Sequence, residues 1–546
     1  MKCSEESVKI FILKKGADAL IKTDITVPVG YTEEDVRLSI CRRLPIDKEE
    51  IRETRVLKER LSIGEEIVYK LTVLASLSPE REAGLLKMKK KVSEAPDYSL
   101  DIPSRSFEVR PIVVGSGPAG LFASLILSEA GAKPIVIERG LEVEKRSEKV
   151  KKFILTGNLD TECNVQFGEG GAGTYSDGKL KVGSMDSLKN YILSAFVEAG
   201  APEEILYSSS AHLGTDKLPG IIKRLREKMT SLGAEFIFGA KMTDFKTKDG
   251  RVAALEYEKD GKKFELEAEK VILATGHSAR DVFYLLERKG VAMEAKGFGI
   301  GVRIEHPREY IDGLVYGKGR GAGLGSASYH LVTHLPSGRS VYSFCMCPGG
   351  SVVAATSTEG GVVTNGMSEY KRNAENSNAA ILVSVTPDDF ESKSALAGIE
   401  YQRKIEEAVY QLGGEYRAPA IKLSDFLSGE GEGKLGSVQP SYPRKTFSAS
   451  PERYMPDYIA DSLRAGFLDF DRWMPGYALG DAVLTGAETR STSPVRVLRG
   501  EDFETFAVKG LYPVGEGAGY AGGIISSARD GAACAMSLLG TRKVYI

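Results

Sequence analysis

The stretch from Val109 to Gly140, VRPIVVGSGPAGLFASLILSEAGAKPIVIERG, constrains the fold more than any other part of the chain. Pro111 to Val114 is an apolar run short enough for a buried strand. Gly115, Gly117 and Gly120 follow in G-x-G-x-x-G spacing, with Pro118 and Ala119 between the last two. Leu121 to Ala130 has helical periodicity, and a second apolar run, Pro134 to Ile137, leads into Glu138 and Arg139. Strand, glycine turn, helix, strand and acid, in that order, make a dinucleotide-binding unit of a parallel sheet. Gly115 permits the tight turn, Gly117 lets a pyrophosphate approach the backbone, and Gly120 lets helix and strand pack closely. The helix N-terminus offers free N–H groups to phosphates. Glu138 can accept hydrogen bonds from the two hydroxyls of a ribose. The glycines alone would be a weak signal; the flanking strands and the acid give them meaning.

The rest of the chain has to be fitted around this unit. Its 546 residues allow about two to four domains with a substantial core. A net charge of −2 recruits neither nucleic acid nor an anionic membrane. No apolar run reaches the ~18 residues of a membrane span, and MKCSEESVKIFILKKG carries no signal-peptide pattern. Six scattered cysteines favour a reducing, cytoplasmic compartment with free thiols. No His/Cys set has metal-ligand spacing. Residues 1–100 read as a small α+β module: strands at Lys9–Leu13 and Glu66–Leu77, and a helix at Thr32–Leu44 behind a capping Thr32. Lys87, Lys89, Lys90 and Lys91 read as a solvated helix face before a linker. Helices follow at Leu141–Leu155 and Leu218–Leu232, with strands at Glu235–Phe238 and Lys270–Ala274. From about Gly297 to Arg499 the pattern is short β-like runs and glycine turns, and Ile524–Leu538 closes the chain as a helix of small residues.

Four motifs together resemble the flavoproteins with a glutathione-reductase-type FAD fold. They are the fingerprint with Glu138, the strand VILATGHSAR (271–280), the tail GLYPVGEGAGYAGGIISSARDG (510–531) and the loop GEGGAGTYSDG (168–178). The wording of FGEGGAGTYSDGKL, ATGHSARD, FCMCPGG, ETRSTSPVR and YPVGEGAGYAGGIISSA is similar to the bacterial FAD-dependent dehydrogenase (NAD(FAD)-utilising) family. The resemblance implies an α/β architecture. A Rossmann-type FAD-binding domain (101–296 and 500–546) would carry an inserted α+β substrate or cap domain (297–499) and a small N-terminal ferredoxin-like α+β domain (1–100). It implies FAD, extended across the switch point of the sheet. Gly115, Gly117, Pro118, Ala119 and Gly120 would hold the pyrophosphate, and Glu138 and Arg139 the adenosine. The backbone at Met242 would meet the adenine. Ala274, Thr275 and Gly276 would pass close to the dinucleotide, where a Cβ on Gly276 would clash. Gly515 and Glu516 would meet the pyrophosphate and ribityl chain, with Glu516 where the family has an aspartate. Gly522, Gly523 and Ile524 would open the last helix at the flavin N1–C2=O edge, where a helix dipole stabilises negative charge by ~0.3–2 kcal/mol. Gly170, Gly171, Ala172, Gly173, Ser176 and Asp177 would line the flavin from the other side.

Candidates for chemistry are fewer. Cys345 and Cys347 form C-x-C before Pro348-Gly349-Gly350; read as facing opposite sides of a strand, they are buried structural thiols ahead of a thiol beside the flavin. Thr489, Arg490 and Arg496 lie among small hydroxyl residues and are as consistent with a clamp for a carboxylate or phosphate as with a salt-bridged strand. His277 follows the Ala-Thr-Gly turn and either faces flavin or substrate or caps a helix. His306 reads as structural, Asn365 as a residue on the cap-side pocket. GFGIGVR (297–303) lacks a strand–turn–helix setting and reads as a glycine-containing strand, so any NAD(P)H would bind transiently. The expected function is an FAD oxidoreductase acting on a small molecule, anionic if the arginines clamp it. The alternatives are a flavin-dependent RNA-modifying enzyme, against which the neutral charge speaks, and a non-catalytic FAD-binding protein.

Overall fold

A computed structural model describes residues 20–88, 91–180, 184–317, 323–429, 431 and 433–541. Cys3, the Lys9–Leu13 strand, Lys89 and Lys90 lie outside the described residues. The chain divides into two compact units, residues 1–101 with 181–211, and residues 102–180 with 212–546.

In the first unit Glu53–Ile63, Ile67–Ser76, Leu20–Pro28 and Ser93–Glu94 form an antiparallel sheet in that spatial order. With the helices Glu33–Arg43 and Pro79–Leu86 this is a β-α-β-β-α-β chain order. Thr32 caps the first helix, and Asp35 returns a bond to the Thr32 N–H, so both orphan donors are met. Alternation along Leu20–Pro28 buries Ile21, Ile25 and Val27 beneath Val36 and Ile40. The helix Ser187–Glu198 also belongs to this unit.

The second unit holds a five-stranded parallel sheet. Its order is Leu511–Pro513, Val271–Leu273, Ile112–Val114, Ile135–Glu138, Glu235–Phe238. The three central strands are apolar at every position except Glu138, because helices or sheet cover both faces. The strand from the tail is thus the direct neighbour of Val271–Leu273, which neighbours the fingerprint strand. Ala240–Lys248, Arg251–Lys259 and Lys262–Glu267 make an antiparallel meander. A seven-stranded sheet follows, with Ser340–Cys347, Asn376–Val385, Phe298–Pro307 and Val483–Glu488 as consecutive neighbours. Phe298–Pro307 contains GFGIGVR and is a strand. A Cβ on Gly301 would lie 1.9 Å from the Ile381 carbonyl oxygen, so the neighbouring backbone demands glycine. Helices Ala397–Gly413 and Asp457–Trp473 pack on this sheet and bury Ile405, Val409, Leu463, Phe467 and Phe470.

Candidate functional site

The fingerprint glycines have different reasons to be glycine. Gly115 lies at φ +100°, and a Cβ there would come within 2.4 Å of the Ala274 carbonyl oxygen. A Cβ on Gly120 would lie 1.8 Å from the Gly115 carbonyl oxygen, so the helix Pro118–Glu129 sits directly on the turn. Gly117 is crowded by nothing closer than Gly171 Cα, at 3.7 Å. Gly276 and Gly522 have no neighbour within 4 Å, and Gly523 has only Ser526 Oγ at 3.8 Å. The expected clash of a Gly276 Cβ is therefore not with the protein; φ +74° and the open space around it remain as reasons for glycine. Open space beside glycine backbone suits an extended dinucleotide that must approach the chain closely.

Two helix N-termini meet at this place. The helix Pro118–Glu129 starts at Gly117 and the helix Ile524–Leu538 at Gly523, both without a side-chain cap, so their first N–H groups stay available to an anion. The helices are clamped together: a Cβ on Gly531 would lie 2.0 Å from the Ala119 carbonyl oxygen, and one on Gly515 would lie 2.7 Å from Ala119 Cβ. Ala119 spends its side on the tail. Gly517 packs on Gly276, where a Cβ would come within 2.6 Å of the carbonyl oxygen. The four motifs thus converge. Gly171 and Gly173 complete the ring: a Cβ on Gly171 would lie 3.0 Å from Gly117 Cα, and one on Gly173 would lie 3.2 Å from Ile524 Cγ1.

Glu138 does more than await a ribose. Its Oε2 accepts from Ser116 N and Oγ, both at 2.8 Å, and Oε1 from Gly140 N and Gly168 N at 2.9 and 3.0 Å. It ties the fingerprint turn to the glycine loop. Arg139 pairs with Asp281 at 2.7 Å, reaches Glu162, and lies over the Phe167 ring. Met242 is buried in the core beneath the parallel sheet, its backbone opposite Tyr257.

Arg146 is a residue that the sequence reading missed. It is fully buried on the helix Val143–Thr156, with no carboxylate partner among the described residues. Its guanidinium donates to the carbonyls of Asn164, Val165, Gly168 and Glu169 and to Thr174 Oγ1, at 2.6 to 3.3 Å. A Cβ on Gly168 would strike Arg146 Cδ at 2.4 Å. Arg146 is the mould around which the loop 164–174 is shaped. An arginine in a charged helix gives no sequence signal of this. Within the same loop Ser176 Oγ bonds the Gly173 carbonyl, and Ala172–Tyr175 is a short 3-10 turn. Asp177, expected beside the flavin, spends its carboxylate on Arg372 at 2.5 and 2.9 Å.

The expected clamp is corrected by the structure. Arg490 is buried and commits all five N–H groups. Nε and one Nη2 hydrogen go to Glu406, the other Nη2 hydrogen to Thr358, and Nη1 to Ser278 and Ser357. Arg280 also takes Glu406, at 2.9 Å, and Thr489 Oγ1 donates to it at 2.8 Å. Arg496 pairs with Glu294, on another strand pair. The arginines placed in one clamp serve separate partners, and the salt-bridged alternative describes Arg490. Burial pushes the Glu406 carboxyl up, but Arg280 and Arg490 outweigh it and hold it down at about 2. His277, half-buried and 3.1 Å from Ser278 Oγ, is driven down to about 3 by burial and by the same two guanidiniums. It is a neutral imidazole at pH 7. Burial raises Glu516 to about 7, with Lys296 opposing and Cys345 reinforcing. His306 is buried against the Tyr477 carbonyl, and Asn365 Oδ1 accepts from Arg303.

Cys345 and Cys347 do not sit on a regular strand: a bulge shifts the register of Ser340–Cys347 against Asn376–Val385 between Phe344 and Cys347, Cys345 lies at φ +40°, and Cys347 Sγ donates to the Cys345 carbonyl at 3.2 Å. Both sit by Arg303. Among the described residues no group of three or more His, Cys, Asp or Glu is arranged to hold a metal ion, and no helix is long and apolar enough to cross a membrane.

Two family models match the chain: pyridine nucleotide-disulphide oxidoreductase over residues 109–303, and FAD-dependent protein, C-terminal domain-like, over residues 297–491. A Clostridium beijerinckii protein described as uncharacterized is 44% identical over 500 residues, 90% of this chain and 93% of its own. Protein FixC of Salmonella typhi is 27% identical over 211 residues; the match spans 37% of this chain and 44% of FixC. Among solved structures, the 3-ketosteroid-delta4-(5alpha)-dehydrogenase of Rhodococcus jostii RHA1 is 13% identical with a TM-score of 0.34, over 80% of this chain and 99% of that one. The flavin-dependent brominase Bmp2 is 10% identical with a TM-score of 0.36, over 81% of each chain.

Proposed function

The chain belongs to the FAD-dependent oxidoreductases and takes FAD as its cofactor; from that premise we propose that it exchanges hydride between the flavin and a small molecule held against the 297–499 region. The observation that carries this reading is the convergence of two uncapped helix N-termini and the uncrowded glycines Gly117, Gly276, Gly522 and Gly523. When bound, FAD supplies reversible two-electron acceptance at its isoalloxazine ring.

The chain's own residues do the rest. The N–H groups following Gly117 and Gly523 bind the pyrophosphate and hold negative charge at the ring edge. Glu138 and Arg146 keep the glycine loop shaped for that ligand. Glu516, raised to about 7, exchanges a proton near neutral pH, where a carboxyl of ordinary acidity could not. Neutral His277, its Nδ1 engaged with Ser278 Oγ, leaves Nε2 for a substrate without bringing charge. Because Arg490 is saturated by Glu406 and three hydroxyls, recognition of the substrate falls to groups other than that arginine.

The test is anaerobic titration of the yellow protein with NADH, NADPH and a metabolite panel, read at the flavin absorbance. Bleaching by one donor assigns the reductive half. Inertness to every donor would favour a non-catalytic FAD-binding role. Gly117→Val fills the cradle and yields colourless protein; a yellow, FAD-replete variant would refute the pyrophosphate site.

A further inference from the structure

Met293–Ala295 runs antiparallel to Val495–Val497. The ladder stays in register from Leu498 N on the Ala292 carbonyl, at 2.9 Å, to Lys296 N on the Pro494 carbonyl, at 2.8 Å. Glu294 stands opposite Arg496, and Lys296 follows two places on, so the three side chains share one face of this ladder. The other edge of Val495–Val497 meets the tail motif. Val497 N donates to the Ala518 carbonyl at 3.1 Å, Ser493 Oγ lies 3.3 Å from the Gly517 carbonyl oxygen, and a Cβ on Gly519 would lie 2.7 Å from the Val495 carbonyl oxygen. Gly517 in turn packs on Gly276. One short run of chain, 492–497, thus ties Lys296 to the glycines of the cofactor cradle. Two donors on the shared face are uncommitted. Lys296 is half-buried; its Nζ donates to Thr492 Oγ1 at 3.3 Å and pairs with no carboxylate of the described residues. Arg496 gives Nη1 to Glu294 at 3.1 Å and lies over the Tyr520 ring, but its buried Nε has no partner among the described residues. Glu294 balances Arg496, whereas the Lys296 charge has no counterion in contact. A half-buried ammonium without a counterion is destabilising, and an anion relieves that cost.

We propose that Lys296, with Thr492 Oγ1 and Arg496 Nε beside it, binds the anionic group of the substrate, and that this substrate is a small monocarboxylate. This rests on the oxidoreductase reading and adds to it the substrate's class. The charge sets the class. One uncompensated cation matches one negative charge, while a phosphoryl dianion would keep a second charge half-buried near Glu294 and Glu516. The donors set the group. An ammonium and a guanidinium N–H suit the two oxygens of a carboxylate through charge-assisted bonds. A neutral substrate would leave the ammonium with a hydroxyl as its partner. Burial, then the Arg496 charge, lower the Lys296 ammonium, and Glu516 opposes them without forming an ion pair. Lys296 also acts on the charges of Glu516 and His277, so a carboxylate anchored on it lies within electrostatic reach of the acid and of the neutral imidazole.

The protein with its FAD is titrated at constant ionic strength with acetate, pyruvate and benzoate, with the neutral amide of each, and with inorganic phosphate. The flavin absorbance is followed. At least one carboxylate should shift the flavin bands saturably, and neither its amide nor phosphate should do so. Lys296→Met should weaken that carboxylate about tenfold or more, the loss of one charge-assisted bond. Lys296→Arg should keep most of the affinity, and both variants should keep their full FAD content. The proposal is overturned if no carboxylate shifts the flavin, if phosphate or the amide does so equally, or if Lys296→Met binds as the unaltered protein does. FAD lost from Lys296→Met also overturns it, since the lysine would then serve the cofactor. A second readout needs neither the flavin nor a variant. Reductive methylation of Lys296, followed by peptide mass spectrometry, should be slowed by the carboxylate and not by its amide; equal rates overturn the proposal. A flavin that no donor reduces would sink the oxidoreductase reading, while protection of Lys296 still judges the anion site by itself.

Discussion

Glu406→Gln is the sharpest probe of the buried charge cluster. The carboxylate binds Arg280 and Arg490 at 2.8 to 3.1 Å and also accepts from Thr489. The amide has nearly the same shape but no charge, so two guanidiniums would be left around a neutral group. Breaking a buried pair in this way costs about 3–5 kcal/mol. The pH dependence gives a second, independent magnitude. The carboxyl is held at about 2, against 4.5 for the ordinary group. A depressed acid stabilises the fold above its unfolded pKa and loses that contribution as pH falls through its folded pKa. The shift corresponds to ~3.4 kcal/mol at pH 7, shrinking to ~1.4 kcal/mol at pH 3. Urea melts followed by circular dichroism at both pH values, for the protein and its variant, measure the difference. A loss below ~1 kcal/mol at pH 7, or an equal loss at pH 7 and pH 3, would refute the reasoning. Arg280→Gln should soften the effect of Glu406→Gln, because one unpaired cation goes with it.

Arg146→Met strips the donors from four loop carbonyls; stability should fall by ~2–4 kcal/mol and FAD affinity with it, as equilibrium dialysis would show. Lysine at 146 should rescue little, since one ammonium cannot reach five acceptors. Gly531→Val forces the last helix off Ala119, so FAD content per chain should drop without loss of the N-terminal module's circular dichroism. Glu516→Gln should remove the limb near pH 7 from the pH profile of flavin reduction; an unchanged profile would assign that limb elsewhere.

The parallel sheet was legible because its code is local: each strand is a short apolar run and each turn a glycine whose crowding is set by the next element. The tail was legible for the same reason, since Gly515 and Gly531 answer to Ala119. What failed was the use made of polar groups. Arg490 and Asp177 look free in a string of letters, but their partners Glu406 and Arg372 lie far along the chain. Arg146 was invisible because its partners are carbonyl oxygens, which every residue possesses. The cysteine pair was misread through a strand rule applied the wrong way round, and the bulge could not be seen in the sequence at all.

The strand Leu511–Pro513 fills its place beside Val271–Leu273 long after the fingerprint has left the ribosome. About 400 residues separate Ile112 from Leu511, roughly 20–80 s of synthesis at 5–20 residues per second. For that interval one border of the sheet has unsatisfied amides and carbonyls, a template for wrong pairing. If the tail glycines complete the cofactor cradle as proposed, that cradle closes only when synthesis of the chain is nearly finished.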